Sequence, residues 1–230
     1  MSQKPLRPVA GEPLIALVAR RVLDFDLDLR VVVATDDARV SEAVSGLPVE
    51  TVLTSPALGS GTERAAAVLA LPEYAGQDPV LNVQGDEPLI ERAAVAGALE
   101  RVTSSGDEVG TAAAPLGPGG LRDPHRVKVM VDGRGRALGF FRTPEAPACA
   151  RRHAVFQHLG VYAYRAAALR RWVALSPVAE EERERLEQLR PLLHGFTIGV
   201  AVQDAPAAPG VDTETDLREV ESRLTVPTWG

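Results

Sequence analysis

The sequence predicts an α/β fold: a single domain on a mostly parallel, doubly wound sheet, with a β-rich insertion at about residues 116–165. Three observations carry the prediction. Short β-branched runs alternate with amphipathic stretches of about ten residues, the order that gives parallel strands with helical crossovers. With 230 residues and 45% apolar side chains, the chain can bury a sizeable core. After residue 116 the texture changes to Pro-Gly-Gly punctuation and period-two apolar spacing, which marks the insertion.

Taken in order, Leu14, Ile15, Leu17, Val18, Val22 and Leu23 recur at helical spacing, and residues 30–35 (RVVVAT) follow as a buried strand. Val40, Ala43 and Val44 mark a second amphipathic stretch, and residues 49–54 a second strand. Residues 62–71 and 91–103 read as helices on either side of a buried strand at 79–84, and residues 109–115 read as extended. In the insertion, Val127, Val129 and Val131 lead into Asp132-Gly133-Arg134-Gly135, a hairpin turn whose return strand is 136–141. Helical spacing returns at 165–175 and at 179–193, where the run Glu180 to Arg185 solvates one face while Leu186, Leu189, Leu192 and Leu193 pack on the other. A strand at 196–202 and a helix at 213–223 complete the chain, with no repeat and no linker-like segment.

Composition excludes several classes of function. The 25 Lys+Arg against 31 Asp+Glu give a net charge of -6, without the basic footprint that nucleic acid requires. No apolar run approaches the ~20 residues that span a bilayer. The single cysteine, Cys149, forms no internal disulfide, and the N-terminus lacks signal-peptide order. A cytoplasmic, soluble chain is expected.

The stretch VLNVQGDEPLI (80–90) places Asp86 just past the carboxyl end of a central strand, where a doubly wound sheet opens its ligand crevice. A carboxylate there suits a hard cation such as Mg²⁺, which keeps water and substrate phosphates in its remaining coordination sites. As a local signal, Asp-Glu-Pro reads equally as a helix cap. Taken alone, Ser60 and Arg64 likewise read as a plain helix start with a solvated arginine. His158 alone reads as a satisfied core histidine, and Tyr162 as a buried strand aromatic.

The joint pattern is more specific. Ser60-Gly61-Thr62-Glu63-Arg64, the 84–88 motif, residues 157–165 (QHLGVYAYR), Leu186-Glu187-Gln188-Leu189-Arg190 and Gly210-Val211-Asp212-Thr213 occur in this order. With ATDD at 34–37 and Asp123-Pro124 leading to Val127-Lys128-Val129, the chain resembles the 3-deoxy-manno-octulosonate cytidylyltransferase family over nearly its whole length. The resemblance implies a Rossmann-like nucleotidyltransferase fold. The implied reaction transfers CMP from CTP to the acidic sugar 3-deoxy-manno-octulosonate (KDO), releases pyrophosphate and serves lipopolysaccharide biosynthesis. It implies Mg²⁺ on Asp86 and Asp212, triphosphate contact by Lys4, and a cytosine site at Ser60, Gly61 and Arg64. It further implies a sugar pocket of Gln84, Arg142, His158, Tyr162, Glu187 and Gln188, and a homodimer joined near 118–165.

The chain also departs from the family pattern. The usual first strand and basic phosphate loop are absent ahead of Lys4, from which a misplaced start and some fifteen to twenty further N-terminal residues are expected, about one strand and one loop. Glu12 replaces a basic or small residue, and Phe141 replaces a serine before Arg142. A cytidylyltransferase for another acidic sugar and a truncated, non-catalytic homologue are the alternatives.

Overall fold

The structure, a computed structural model, describes residues 4–142, 152–208, 210–211 and 213–225. Contacts divide the chain into two compact units interleaved along the sequence: residues 1–71, 83–92 and 208–230 form the first, and residues 72–82 and 93–207 the second. Because neither unit is one continuous stretch, no linker marks their border in the sequence.

In the first unit, a 3-10 turn at Lys4–Leu6 leads into a two-stranded ribbon, β1 (Pro8–Val9) against β2 (Glu12–Pro13), and then into helix α1 (Leu14–Leu23). The short ribbon was not apparent in the sequence. Helix α1 carries two apolar stripes. Leu14 and Leu17 pack with Val9, Val211, Leu217 and Val220; Ala16 and Ala19 pack with Val33, Val40 and Val44. Strand β3 (Val32–Thr35) pairs in parallel with β4 (Glu50–Leu53) across helix α2 (Ala38–Ala43), as the alternation predicts. Asp37 caps α2 by accepting from the Arg39 N–H at 2.9 Å. Helix α3 (Gly61–Leu69) and the closing helix α8 (Glu214–Thr225) complete the unit.

The second unit is a six-stranded sheet in the order β10-β6-β9-β7-β8, with β5 pairing β9 off that path. Its strands are β5 (Val80–Val83), β6 (Val109–Ala114), β7 (Lys128–Val131), β8 (Ala137–Phe141), β9 (Ala154–Tyr164) and β10 (Ile198–Val202). The α/β class holds. The parallel pairs described are β3 with β4 and β10 with β6, whereas β9 runs antiparallel to both β6 and β7. This antiparallel share exceeds what alternation alone suggests, because the insertion returns through the 11-residue strand β9 into the middle of the sheet. The hairpin turn forms where predicted: Asp132 Oδ1 accepts from the N–H groups of Arg134 and Arg136, both at 2.8 Å, and Gly135 takes φ 74°. Those backbone donors, Arg136 first, hold the Asp132 carboxyl below its ordinary pKa.

Strand β6 is buried at every position and built from small residues, VGTAAA. Its smallness is required by helix α4 (Arg92–Thr103), for a Cβ on Gly110 would lie 1.9 Å from the Ala98 carbonyl oxygen. Around β9, Tyr162 and Tyr164 stack at 6.0 Å and both meet Trp172 of helix α5 (Ala166–Val173) edge-on, at 6.0 and 5.5 Å.

The predicted helix at 179–193 is two helices, α6 (Ala179–Glu184) and α7 (Leu189–Leu193). Arg185 ends α6 in the left-handed region, with φ 56° and ψ 48°. The break alters the predicted charge pattern, since Glu184 is buried at 9% exposure instead of lying on a solvated face. Because glycine adopts this conformation without the Cβ penalty, Arg185→Gly is expected to raise stability by about 0.5–1 kcal/mol. A urea titration checks this, and an unchanged or lowered midpoint contradicts it.

Candidate active site

Asp86 lies three residues past β5, in the turn closed by the Glu87 N–H on the Gln84 carbonyl at 3.2 Å. Helix α4 begins only at Arg92, so the reading of Asp86 as a helix cap does not hold. Its side chain is 35% exposed and Oδ2 accepts from Lys4 Nζ at 2.6 Å. Its carbonyl accepts from the Val211 N–H at 2.9 Å. Glu87 packs on Gly210, where a Cβ would meet Oε1 at 3.1 Å. The chain is therefore laid beside the Gln84 turn as far as Val211. Asp212 lies outside the described residues. Immediately after it, Thr213 and Asp216 form a reciprocal cap for α8: the Thr213 N–H donates to Asp216 Oδ2 at 2.7 Å, and the Asp216 N–H to Thr213 Oγ1 at 3.2 Å.

Also in the first unit, Ser60 caps α3, its Oγ accepting from the Glu63 N–H at 3.2 Å, and Gly61 is the first helical residue. Arg64 is not a solvated residue one turn on. Its guanidinium donates to Thr54 Oγ1 at 2.5 Å, reaches the Ser55 and Leu58 carbonyls at 3.4 Å, and pairs with Asp36 Oδ1 at 3.2 Å. Two motifs far apart in the sequence, ATDD and SGTER, thus meet through one arginine, which ties down the 54–58 loop. Glu12 bonds Arg20 Nη1 at 3.0 Å.

In the second unit, four of the residues predicted for the sugar pocket lie within contact or electrostatic reach of a neighbour in the set. The His158 ring meets Tyr162 at 5.3 Å and Phe140 at 5.2 Å. Burial, and then the Arg142 charge, lowers the His158 pKa from 6.5 to about 3. Burial first, then Glu187 and Tyr164, pushes the Tyr162 hydroxyl well above its ordinary value. Both groups are neutral at physiological pH. Gln188 is buried at 4% exposure and precedes α7, in the break that Arg185 opens. Gln84 belongs to the first unit. Phe141 is buried in β8 at 3% exposure.

The depressed His158 pKa has a testable consequence. Its native pKa lies below its unfolded value, so its contribution is fully present above about pH 6.5 and is lost as pH falls toward 3. Between pH 7 and 5 it should remove up to about 2 kcal/mol of stability. Urea midpoints at both pH values, in wild type and His158→Gln, measure it. Equal pH slopes in the two proteins would refute the assignment.

Sequence reasoning gave no site role to three members of this region. Lys128 is fully buried, and its ammonium donates to the carbonyls of Asp123, Arg126 and Arg142 at 2.5, 2.9 and 3.2 Å. Desolvation lowers its pKa. Glu184 Oε2 accepts from the Arg142 N–H at 2.9 Å, and the Arg142 Nη1 donates to the His125 carbonyl at 3.1 Å. Thr111, in β6, bonds His158 at 2.9 Å. The available signal was a lysine and a threonine inside strands whose other members are apolar.

The family model for cytidylyltransferases matches residues 1–198. A 3-deoxy-manno-octulosonate cytidylyltransferase of Gemmatimonas aurantiaca is 44% identical over 94% of this chain and 86% of its own length. One of the same name from Methylococcus capsulatus is 43% identical over 96% and 90%. A solved CMP:2-keto-3-deoxy-manno-octonic acid synthetase in complex with CTP superposes with a TM-score of 0.85 at 34% identity, over 96% of this chain and 91% of that one. A Bacillus anthracis protein assigned as a glucose-1-phosphate thymidylyltransferase, 16% identical with a TM-score of 0.68, shares the fold. On sequence and fold together, this chain belongs to the cytidylyltransferases and, among them, to the 3-deoxy-manno-octulosonate cytidylyltransferase family.

Proposed function

We propose that this protein transfers CMP from CTP to 3-deoxy-manno-octulosonate, giving CMP-KDO and pyrophosphate for lipopolysaccharide biosynthesis, in the cytoplasm and as a homodimer. The observation that carries the reading is the grouping of Arg142, His158, Tyr162 and Glu187 in one unit of a cytidylyltransferase. A sugar acid needs a forked cation for its carboxylate and neutral donors and acceptors for its hydroxyls. Among the described residues, no helix is long and apolar enough to cross a membrane.

In the reaction, the sugar's anomeric hydroxyl oxygen bonds to the α-phosphorus of CTP, the bond to the pyrophosphate oxygen breaks, and the hydroxyl proton passes to solvent. Such transfers depend on positioning and charge compensation more than on a covalent nucleophile. Lys4 supplies a positive charge beside Asp86 that suits the triphosphate. Arg64 fixes the loop at the nucleotide end, and Ser60 retains a hydroxyl proton to donate to the base. Asp86 fits a divalent cation, because its carboxylate is part exposed and its pairing is with an ammonium that can move. Asp86 and Asp212 would hold Mg²⁺, which when bound offsets phosphate charge and acidifies a nearby hydroxyl.

Pyrophosphate release from CTP and Mg²⁺ with a panel of acidic sugars tests the reading. Release that depends on KDO is expected. Release with a different acidic sugar alone would reassign the acceptor, and release with none would identify a non-catalytic homologue.

A further inference from the structure

We propose that Thr111 is a positioning residue that holds His158 in the Nε2–H tautomer, so that the imidazole offers an unprotonated Nδ1 to a hydroxyl of the acidic sugar. The inference rests on the function proposed above and assigns one part of its site. Its basis is a count of protons. A threonine hydroxyl carries a single hydrogen and two acceptor lone pairs. Thr111 Oγ1 lies 2.7 Å from the Val161 carbonyl oxygen, which can only accept, so the hydroxyl hydrogen points there. The same Oγ1 lies 2.9 Å from His158 Nε2. With its hydrogen committed, the hydroxyl can only accept from that nitrogen, and Nε2 therefore carries the proton. A neutral imidazole has one N–H, which leaves Nδ1 as a lone pair.

Two further features hold this state. Thr111 is fully buried, so water does not compete for either bond. The register of β6 against β9 slips between Thr111 and Ala112, where Thr111 faces Tyr162 and Ala112 faces Leu159. That irregularity brings the Val161 carbonyl and the His158 ring within reach of one hydroxyl. The imidazole is kept neutral by burial and by the nearby Arg142 guanidinium. Among the described residues, none hydrogen-bonds Nδ1.

The chemical consequence is selectivity. A lone pair in this position accepts from an O–H and repels a carboxylate, so His158 reads a sugar hydroxyl and leaves the carboxylate to Arg142. The resemblance implies one pocket for both residues, with the carboxylate on Arg142 and hydroxyls on the imidazole; the Thr111 contact adds that His158 accepts from a hydroxyl instead of donating to it.

Long-range proton–nitrogen NMR of the His158 side chain near pH 7 reads the tautomer directly. Wild type should show a protonated Nε2 and a bare Nδ1, and Thr111→Ser should keep that pattern. Thr111→Val removes the acceptor and should mix the tautomers. In pyrophosphate-release kinetics, Thr111→Val should raise the KM for the sugar by about 10-fold, with the KM for CTP unchanged and Thr111→Ser near wild type. A protonated Nδ1 in wild type overturns the proposal, as does Thr111→Val with unaltered tautomer and sugar KM. If wild type turns over no acidic sugar, the functional reading fails and the assignment of a sugar hydroxyl fails with it, while the NMR still decides whether Thr111 sets the tautomer.

Discussion

Replacing Asp86 by asparagine is expected to lower turnover by about 100- to 1,000-fold, the range seen when a fixed electrostatic contribution to charge development is removed. The substitution preserves size and one carbonyl oxygen, removes the negative charge and turns the second acceptor oxygen into an NH2 donor. Lys4 then loses its anionic partner at 2.6 Å, but both side chains are partly exposed, at 21% and 35%. Such pairs contribute little to folding, so stability should change by less than about 1 kcal/mol. Pyrophosphate-release kinetics with a parallel thermal melt separate the two effects. Near-normal turnover would remove Asp86 from the chemistry, and a collapse of the melt would show that its role is structural.

Gly110→Ala should produce the largest stability loss of any single methyl addition considered for this chain. The new Cβ would lie 1.9 Å from the Ala98 carbonyl oxygen and 3.1 Å from the Arg101 Cβ. The first of these is helix backbone, which cannot rotate away. Either α4 lifts off β6 or the strand shifts register, and both disturb the buried centre of the second unit. Overpacking typically costs about 1–3 kcal/mol, and a clash with helix backbone lies toward the upper end of that range. Gly117→Ala is the control, since a Cβ there meets nothing within 4 Å. Denaturant titration should find the first variant strongly destabilised and the second within about 0.5 kcal/mol of wild type. Equal midpoints would mean that α4 and β6 are not packed as closely as described.

Much of this architecture was legible because local signals agree with the fold. The spacing from Leu14 to Leu23, the β-branched runs at 30–35 and 49–54, and the Asp132 to Gly135 turn each specify one local structure, and the chain adopts it to within two residues at the ends. The failures share a cause. The 179–193 stretch has continuous helical spacing, yet Arg185 turns left-handed, a choice that side-chain periodicity does not encode. Glu184 reads as one more solvated charge in an acidic run, and only the break buries it against the Arg142 backbone. Lys128 satisfies its ammonium entirely with carbonyls, so no carboxylate in the sequence announces it. The candidates for the sugar site came from the ordered set of motifs that carries the family resemblance, since His158 and Tyr162 taken alone read as core residues. The Thr111 contact that fixes the His158 proton depends on the slip between two strands distant in sequence.

The contact between Lys4 and Asp86 implies a thermodynamic linkage. While the ammonium rests on the carboxylate, each ion satisfies the other and neither is fully available to a visitor. A nucleotide that draws the ammonium toward its phosphates uncovers the carboxylate in the same event, and a divalent ion that claims the carboxylate releases the ammonium. On the function proposed above, the two guests strengthen each other by one common factor, whichever arrives first. Calorimetric titrations in both orders should return that factor, and Lys4→Gln should shrink it.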